Sequence, residues 1–225
     1  NANPCLSPDA GFAAALAAAR VSYPEAVARI LADSHRRRAA GAAAPAPLTA
    51  GGPLPSASGP DPKAPLRLTV TSGDPAAVRR LAEATGYFTA EEVRIAEELV
   101  NERLSKRPEC GYHFVFAEHH GGLAGYACYG PVPLTASSYD LYWIVVSPGV
   151  QGQGLGRALL RETERLARQA GGTRLYADTS GRAQYASTRA FYERTGFRRE
   201  ALLEDFYAPG DAKVIYSKPL HHQCG

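Results

Sequence analysis

The sequence predicts an α/β chain of the α+β kind, a mixed central sheet flanked by helices over residues 66–218, with a helical arm before it. Three observations lead there. Apolar residues alternate with period two in several short runs and recur at helical spacing in others. Three strand-like runs follow one another around a hairpin, which rules out a regular βαβ repeat. Proline, glycine and capping residues punctuate the runs into the order β-α-α-β-β-β-α-β-α-β-β.

The first strand is the alternating run Leu66, Arg67, Leu68, Thr69, Val70. Asp74 with Pro75 opens a helix, since proline is tolerated in the first turn and an acidic side chain suits a helix N-terminus, and Gly86 closes it. Thr89 with Glu92 makes a capping box for a second helix ending near Ser105. Strand runs at 113–118 and 123–129 are joined by His119-His120-Gly121-Gly122 as a hairpin. A long apolar strand at 140–146 leads into Ser147-Pro148-Gly149. The strongest amphipathic helix, 154–170, buries Leu155, Leu159 and Leu166, and Gly171-Gly172 stops it. A strand at 174–179, a helix at 183–194 ended by Gly196, and strands near 199–207 and 213–217 complete the domain.

A chain of 225 residues, 45% of them hydrophobic, fits one domain with an appendage and can bury a real core. The net charge of +3 is dispersed, which argues against a nucleic-acid partner. No apolar run approaches the ~20 residues of a membrane-spanning helix, and no signal-peptide pattern is present. Cys5, Cys110, Cys128 and Cys224 lack metal-ligand spacing and read as free thiols of a cytoplasmic protein, and no metal site is expected. The pairs His119-His120 and His221-His222 read as solvated polar residues. Lysine appears only at 63, 106, 213 and 218, and this arginine bias with abundant Ala, Gly and Pro points to a GC-rich bacterial genome. With no methionine and Asn at position 1, the sequence reads as a fragment.

Four segments follow from composition: 1–40, helical after an initial loop; 41–65, so dense in Pro, Ala, Gly and Ser that it reads as a linker; 66–218, the domain; and 219–225, a tail.

The most informative stretch is Gln151-Gly152-Gln153-Gly154-Leu155-Gly156-Arg157. Glycines let backbone approach a ligand, and the helix that follows offers unpaired N–H groups and a partial positive charge, together an anion site. Arg157 can add a charge-assisted contact. A dinucleotide fingerprint fails because Arg157 stands at its third glycine, and no Gly-Lys-Ser/Thr follows for a P-loop.

Gln151-x-x-Gly154-x-Gly156 resembles the acyl-CoA motif Q/R-x-x-G-x-G/A of the GNAT acyltransferase superfamily. As in that family, it follows an apolar strand ending Ile144-Val145-Val146. Thr188-Arg189-Ala190-Phe191-Tyr192-Glu193-Arg194-Thr195-Gly196-Phe197 resembles the family's A-x-x-F-Y-E-K-x-G-F segment. The two motifs stand in the family's order, and the resemblance covers about two thirds of the chain. It departs at Tyr185, where the family often has asparagine.

The resemblance implies the GNAT fold, with the fourth strand splayed from the fifth at a bulge, and acetyl-CoA as co-substrate. It places Gln151 to Arg157 on the pyrophosphate and backbone near Val145 and Val146 beside the pantetheine, as an added strand would pair. The implied reaction is direct attack of an amine on acetyl-CoA in a ternary complex, and the partly aromatic acceptor site expected from Phe88, Tyr129, Tyr139 and Tyr142 favours the amine of a small molecule or amino acid over a protein tail. A non-catalytic acyl-CoA-binding or regulatory module is the alternative.

Acetyl transfer needs a neutral amine, a stabilised oxyanion and a proton for the departing thiolate. Tyr192 matches the family tyrosine that resembles the general acid. A phenol at about 10 donating to a thiolate at about 8.5 is uphill by about 2 kcal/mol. The Val146 N–H is the expected oxyanion donor, while Phe191 and Phe197 are expected in the core. For the base, Asp140 stands where histone-type members carry a glutamate, and Glu118, taken to be on the adjoining strand, is the second choice. Alternation places Asp140, Tyr142 and Ile144 on one face and Leu141, Trp143 and Val145 on the other. Phe88, Tyr129, Tyr139 and Tyr142 are expected to make the acceptor site partly aromatic.

The run Asn1-Ala2-Asn3-Pro4-Cys5-Leu6-Ser7-Pro8 and the helical sequence after it resemble the end of a D-alanine–D-alanine ligase-like ATP-grasp domain, in which such a run supplies a magnesium ligand. An upstream ATP-grasp partner, and hence a bifunctional ligase–acetyltransferase, is the further alternative.

Overall fold

The structure is a computed structural model and describes residues 65–220. The ligase-like fragment at 1–40, nearly all of the linker, Cys5, Cys224 and His221-His222 lie outside the described residues.

Seven strands form one sheet in the order β1-β2-β3-β4-β5-β7-β6. They are β1 (Leu66–Arg67), β2 (His113–His119), β3 (Gly122–Pro131), β4 (Ser138–Val146), β5 (Arg174–Ser180), β6 (Arg198–Ala208) and β7 (Asp211–Pro219). The helices are α1 (Asp74–Thr85), α2 (Ala90–Lys106), α3 (Leu155–Gln169) and α4 (Ala186–Arg194). Only β4 and β5 run parallel, so the sheet is mixed as expected.

Local chemistry accounts for the ends of these elements. The capping box is complete: the Glu92 N–H donates to Thr89 Oγ1 at 3.2 Å and the Thr89 N–H to Glu92 Oε2 at 2.8 Å. At the β2–β3 turn His120 and Gly121 both have positive φ, 49° and 77°, the type I′ pattern that suits the twist of a two-residue hairpin. Strand β1 is shorter than expected. Beyond Arg67 the chain bends, and the Thr71 N–H donates to Asp74 Oδ2 at 2.6 Å. Arg67 grips both Asp74 oxygens at 2.8 and 2.9 Å and Glu118 at 2.7 Å, tying β1 to α1 and β2. The helix expected over 183–194 begins as a 3-10 turn, Ala183–Tyr185.

The sheet separates two cores. On one face Leu155, Leu159 and Leu160 of α3 and Tyr192 of α4 pack on Val115, Leu141, Leu175 and Tyr216. On the other, Val78 and Leu81 of α1 and Ala96 and Val100 of α2 cover Phe116, Tyr126, Trp143 and Val145. Leu159 is wholly buried, so cutting it to alanine should cost about 2–5 kcal/mol.

Candidate active site

The site grows from a defect in β4. Trp143 pairs with Cys128 of β3 and Leu141 with Tyr129, leaving Tyr142 as an extra residue. Such a bulge bends its strand and shifts the alternation of side chains. The expected faces are therefore corrected. Tyr139 and Leu141 lie in the α3 core with Ile144 and Val146 against it, whereas Tyr142, Trp143 and Val145 belong with the α1–α2 core. Asp140, between Tyr139 and Leu141, shares the α1–α2 face with Tyr142, and Ile144 does not. Pairing with β5 covers only Ser138 to Asp140, opposite Arg174 to Tyr176, so the strands fork where the bulge begins.

Beyond the fork β4 presents a free backbone edge. The Ser147 N–H donates to Ala124 O at 2.8 Å, and the pairing Gly125–Val146 follows next in the ladder. Antiparallel bonding alternates, so the N–H and C=O of Val146 and of Ile144 turn away from β3 into the fork, and those of Val145 turn toward β3. The expected backbone pair Val145 and Val146 is thus corrected to Ile144 and Val146. Gln151 Nε2 donates to Val146 O at 3.0 Å, leaving the Val146 N–H facing the cleft.

Chain reversal into α3 depends on Gly152 and Gly154, with φ of 77° and 88°, a region that side-chain-bearing residues rarely adopt. Where a Cβ of Gly152 would stand, nothing lies within 4 Å. A Cβ at Gly156 would lie 3.5 Å from the Phe191 ring and 3.6 Å from Val146, so α3 starts close against both β4 and α4. The result is a cleft of about 670 Å³ lined by Ile144 to Val146, the 150–157 loop and the facing side of α4. Arg157, Arg161 and Arg194 also line it. An extended edge, an anion-binding helix start and three arginines fit a long amide-bearing arm ending in phosphates.

The expected cofactor residues Val145, Val146, Gln151, Gly152, Gln153, Gly154, Gly156 and Arg157 all line this cleft. Leu155 does not, because its side chain is 4% exposed in the core and only its backbone belongs to the helix start. Phe191, expected in the core alone, also lines the cleft.

The expected catalytic residues stand back from the lining. Tyr192 is buried against Phe191, Phe197 and Tyr216. Burial pushes its phenol well above the usual tyrosine range, and the charges of Asp178 and Tyr216 add to the rise. Proton donation from Tyr192 is therefore harder than reference values suggest. Asp140 is half-buried at the closed end of the fork, between Gly130 of β3 and Tyr176 of β5. Glu118 lies on β2, separated from β4 by β3, so the expectation that it adjoins β4 is wrong. It is half-buried and bound to Arg67.

Other residues complete the walls. Tyr185, at the family's asparagine position, donates its hydroxyl to Tyr87 O at 3.2 Å, and both line the cleft with Thr85 and Phe88. Phe88 packs edge-on against Trp143 with ring centres 4.9 Å apart. Tyr129 and Tyr139 are core residues of the α3 face, which corrects their expected place in an acceptor site. On the β5 arm, Asp178 and Lys213 form a nearly buried ion pair at 2.5 Å, with the ammonium over the Phe206 ring. The sequence alone does not disclose this pair, because thirty-odd residues separate two polar groups inside strand-like runs. Among the described residues no cluster of His, Cys, Asp and Glu suits a metal ion, and no helix is long and apolar enough to cross a membrane.

Known proteins show the same architecture. A crystal structure of a GNAT-family protein from Desulfovibrio desulfuricans is 52% identical, covers 70% of this chain and 99% of its own, and superposes with a TM-score of 0.69. A ribosomal-protein-alanine N-acetyltransferase from Brucella melitensis is 25% identical over 68% of this chain and 98% of its own, with a TM-score of 0.57. The N-alpha-acetyltransferase RimI of Mycobacterium tuberculosis is 36% identical over 96 residues, 42% of this chain, and the match spans only 58% of that relative's length. Residues 77–197 match the acetyltransferase (GNAT) family itself, and with more than half of its length matched the chain belongs to that family, whose co-substrate is acetyl-CoA.

Proposed function

We propose that the chain transfers the acetyl group of acetyl-CoA to an amine by direct attack in a ternary complex. The observation that carries this is the fork: a free β4 edge leads straight into a glycine turn at a helix start, inside one cleft. Acetyl-CoA supplies the thioester carbonyl that the amine attacks. The N–H groups at the start of α3, with Arg157, hold its pyrophosphate, and Ile144 and Val146 pair with its arm. Val146 stands at the loop end of the fork and so serves the arm, whereas an oxyanion donor belongs deeper, near the bulge. Tyr192 remains protonated across the working range and holds a proton toward the leaving sulfur. Asp140, at the closed end of the fork, is the base we favour over Glu118.

The acceptor we propose is the amine of a small molecule or amino acid, approaching from the α1–α2 face past Phe88. The likeness to RimI favours a second reading, the α-amine of a protein N-terminus. Release of CoA, followed over a panel of small amines, amino acids and N-terminal peptides with mass-spectrometric identification of the product, separates the two. Acetyl-CoA binding without transfer to any of them would instead leave a non-catalytic acyl-CoA module.

The domain boundaries and the ATP-grasp partner belong to the same proposal. The ligase-like Asn-Pro run and the Pro-rich stretch after it support an arm that works apart from acetyl transfer. Deleting residues 1–60 should then leave acetyl-CoA kinetics and the melting temperature nearly unchanged. A drop of several degrees would reject that arrangement.

A further inference from the structure

The Asp178–Lys213 pair stands just past the point where β4 and β5 part, on the side from which the acceptor approaches. Pairing of the two strands ends at Asp140 and Tyr176. Leu175 and Ala177 lie in the α3 core, so Tyr176 and Asp178 face the side of α1 and α2. Val214 of β7 lies in the α3 core too, which turns Lys213 to the same side as Asp178. Asp178 is thus the first β5 side chain on that face beyond the fork. Burial raises the phenols of Tyr192 and Tyr207, and the charge of Asp178 adds to both, so its carboxylate acts on the proposed acid and on the β6–β7 hairpin alike.

The pair contributes little to stability for what it removes from water. Lys213 and Asp178 are 10% and 13% exposed, and the desolvation of two such charges offsets most of their attraction. The neighbouring acid, Asp211, is held by Arg182 at 2.9 Å and by Ser180, so Lys213 answers to Asp178. We propose that this pair receives the acceptor and that the acceptor is a free α-amino acid, its ammonium on Asp178 and its carboxylate on Lys213. The assignment rests on the acetyl transfer proposed above and selects between its two acceptors. A zwitterion that parts the pair gives each member a new partner of opposite charge. A plain amine would satisfy Asp178 and isolate the Lys213 charge. A protein N-terminus would do the same, because the carboxyl of its first residue is an amide. Isolating one member of a buried pair is strongly unfavourable, so the site calls for a carboxylate beside the amine. Asp140, opposite Tyr176 on the same face, remains the group that takes the amine's proton before attack.

Acetylation of matched acceptors by the full chain tests this: free amino acids, their carboxamides, the corresponding plain amines and N-terminal peptides, with products identified by mass. The wild type should favour an acid over its carboxamide by about tenfold or more in kcat/KM. Lys213→Met should remove that preference through a higher KM for the acid. Lys213→Arg keeps a cation and should keep the preference. Neither Lys213 nor Asp178 lines the acyl-CoA cleft, so both variants should bind acetyl-CoA as the wild type does. The wild-type comparison decides the matter even where a variant loses its thermal transition. Carboxamides or peptides acetylated as well as the acids overturn the proposal and leave acetyl transfer standing. So does a folded Lys213→Met protein that still prefers acids. Transfer to no member of the panel rejects acetyl transfer itself, and this assignment with it.

Discussion

Under the proposed function the two arms of the fork take different parts. On the β4 arm the work falls to main chain: the Ile144 and Val146 edge, the Gly152–Gly154 reversal and the first N–H groups of α3. On the β5 arm it falls to a side chain, Tyr192 of α4, packed against Tyr216 of β7. Main-chain groups cannot be exchanged by substitution, so the first arm suits a co-substrate shared by a whole family. Side chains can be exchanged one at a time, so the second arm suits chemistry and acceptor choice that differ from member to member. Substitutions on the two arms should therefore fail differently, one in affinity and the other in rate.

The sharpest test lies on the side-chain arm. Tyr192→Phe removes one oxygen from a packed site and should lower turnover about 10²-fold, in the usual range for a general acid. Acetyl-CoA affinity should stay as it was. Because burial raises the phenol, Tyr192 stays protonated through the assay range, and an alkaline limb in the rate profile must come from another group. Unchanged turnover in the variant, with chemistry shown to be rate-limiting, would remove Tyr192 from the reaction.

On the main-chain arm the effect should appear in binding. Gly154 has φ of 88°, and a β-branched residue there carries strain of about 1–3 kcal/mol. Gly154→Val should weaken acetyl-CoA at least tenfold, about 1.4 kcal/mol, in a calorimetric titration. Equal affinities would mean that the turn does not hold the pyrophosphate. A smaller effect is expected at the cleft wall where the turn before α4 meets the chain after α1. Tyr185→Phe loses the hydrogen bond to Tyr87 O, worth about 1 kcal/mol, and should raise the KM for acetyl-CoA a few-fold with little change in kcat. A fall in kcat instead would move Tyr185 from the wall of the cleft to the reaction.

This contrast also explains what the sequence discloses. Glycine spacing at a strand-to-helix junction is a local signal, so Gln151 to Arg157 stand out from the order of residues alone. The capping box of α2, the hairpin turn and the order of elements are legible for the same reason. The bulge at Tyr142 leaves no mark in an apolar run, so strict alternation puts Asp140 and Ile144 on one face when they lie on two. The neighbour of β4 cannot be read either, because sheet order depends on contacts distant in sequence. Tyr185 is visible as a departure from the family, but its reach to Tyr87, 98 residues away, is not.

The smallest expected effect tests that correction of sheet order. Glu118 sits two strands from β4, half-buried, with its carboxylate on Arg67 at 2.7 Å. Arg67 keeps its two bonds to Asp74, so the tie between β1 and α1 survives the loss of Glu118. Glu118→Gln keeps an oxygen to accept from Arg67 and should then cost only about 1 kcal/mol of stability. Its kcat/KM should match the wild type within about twofold, a difference of roughly 0.5 kcal/mol. Asp140→Asn, measured beside it, should displace the acidic limb of the pH–rate profile. If Glu118→Gln moved that limb and Asp140→Asn did not, the base would lie on the β2 side of the sheet, and the assignment of roles along the fork would have to be reversed.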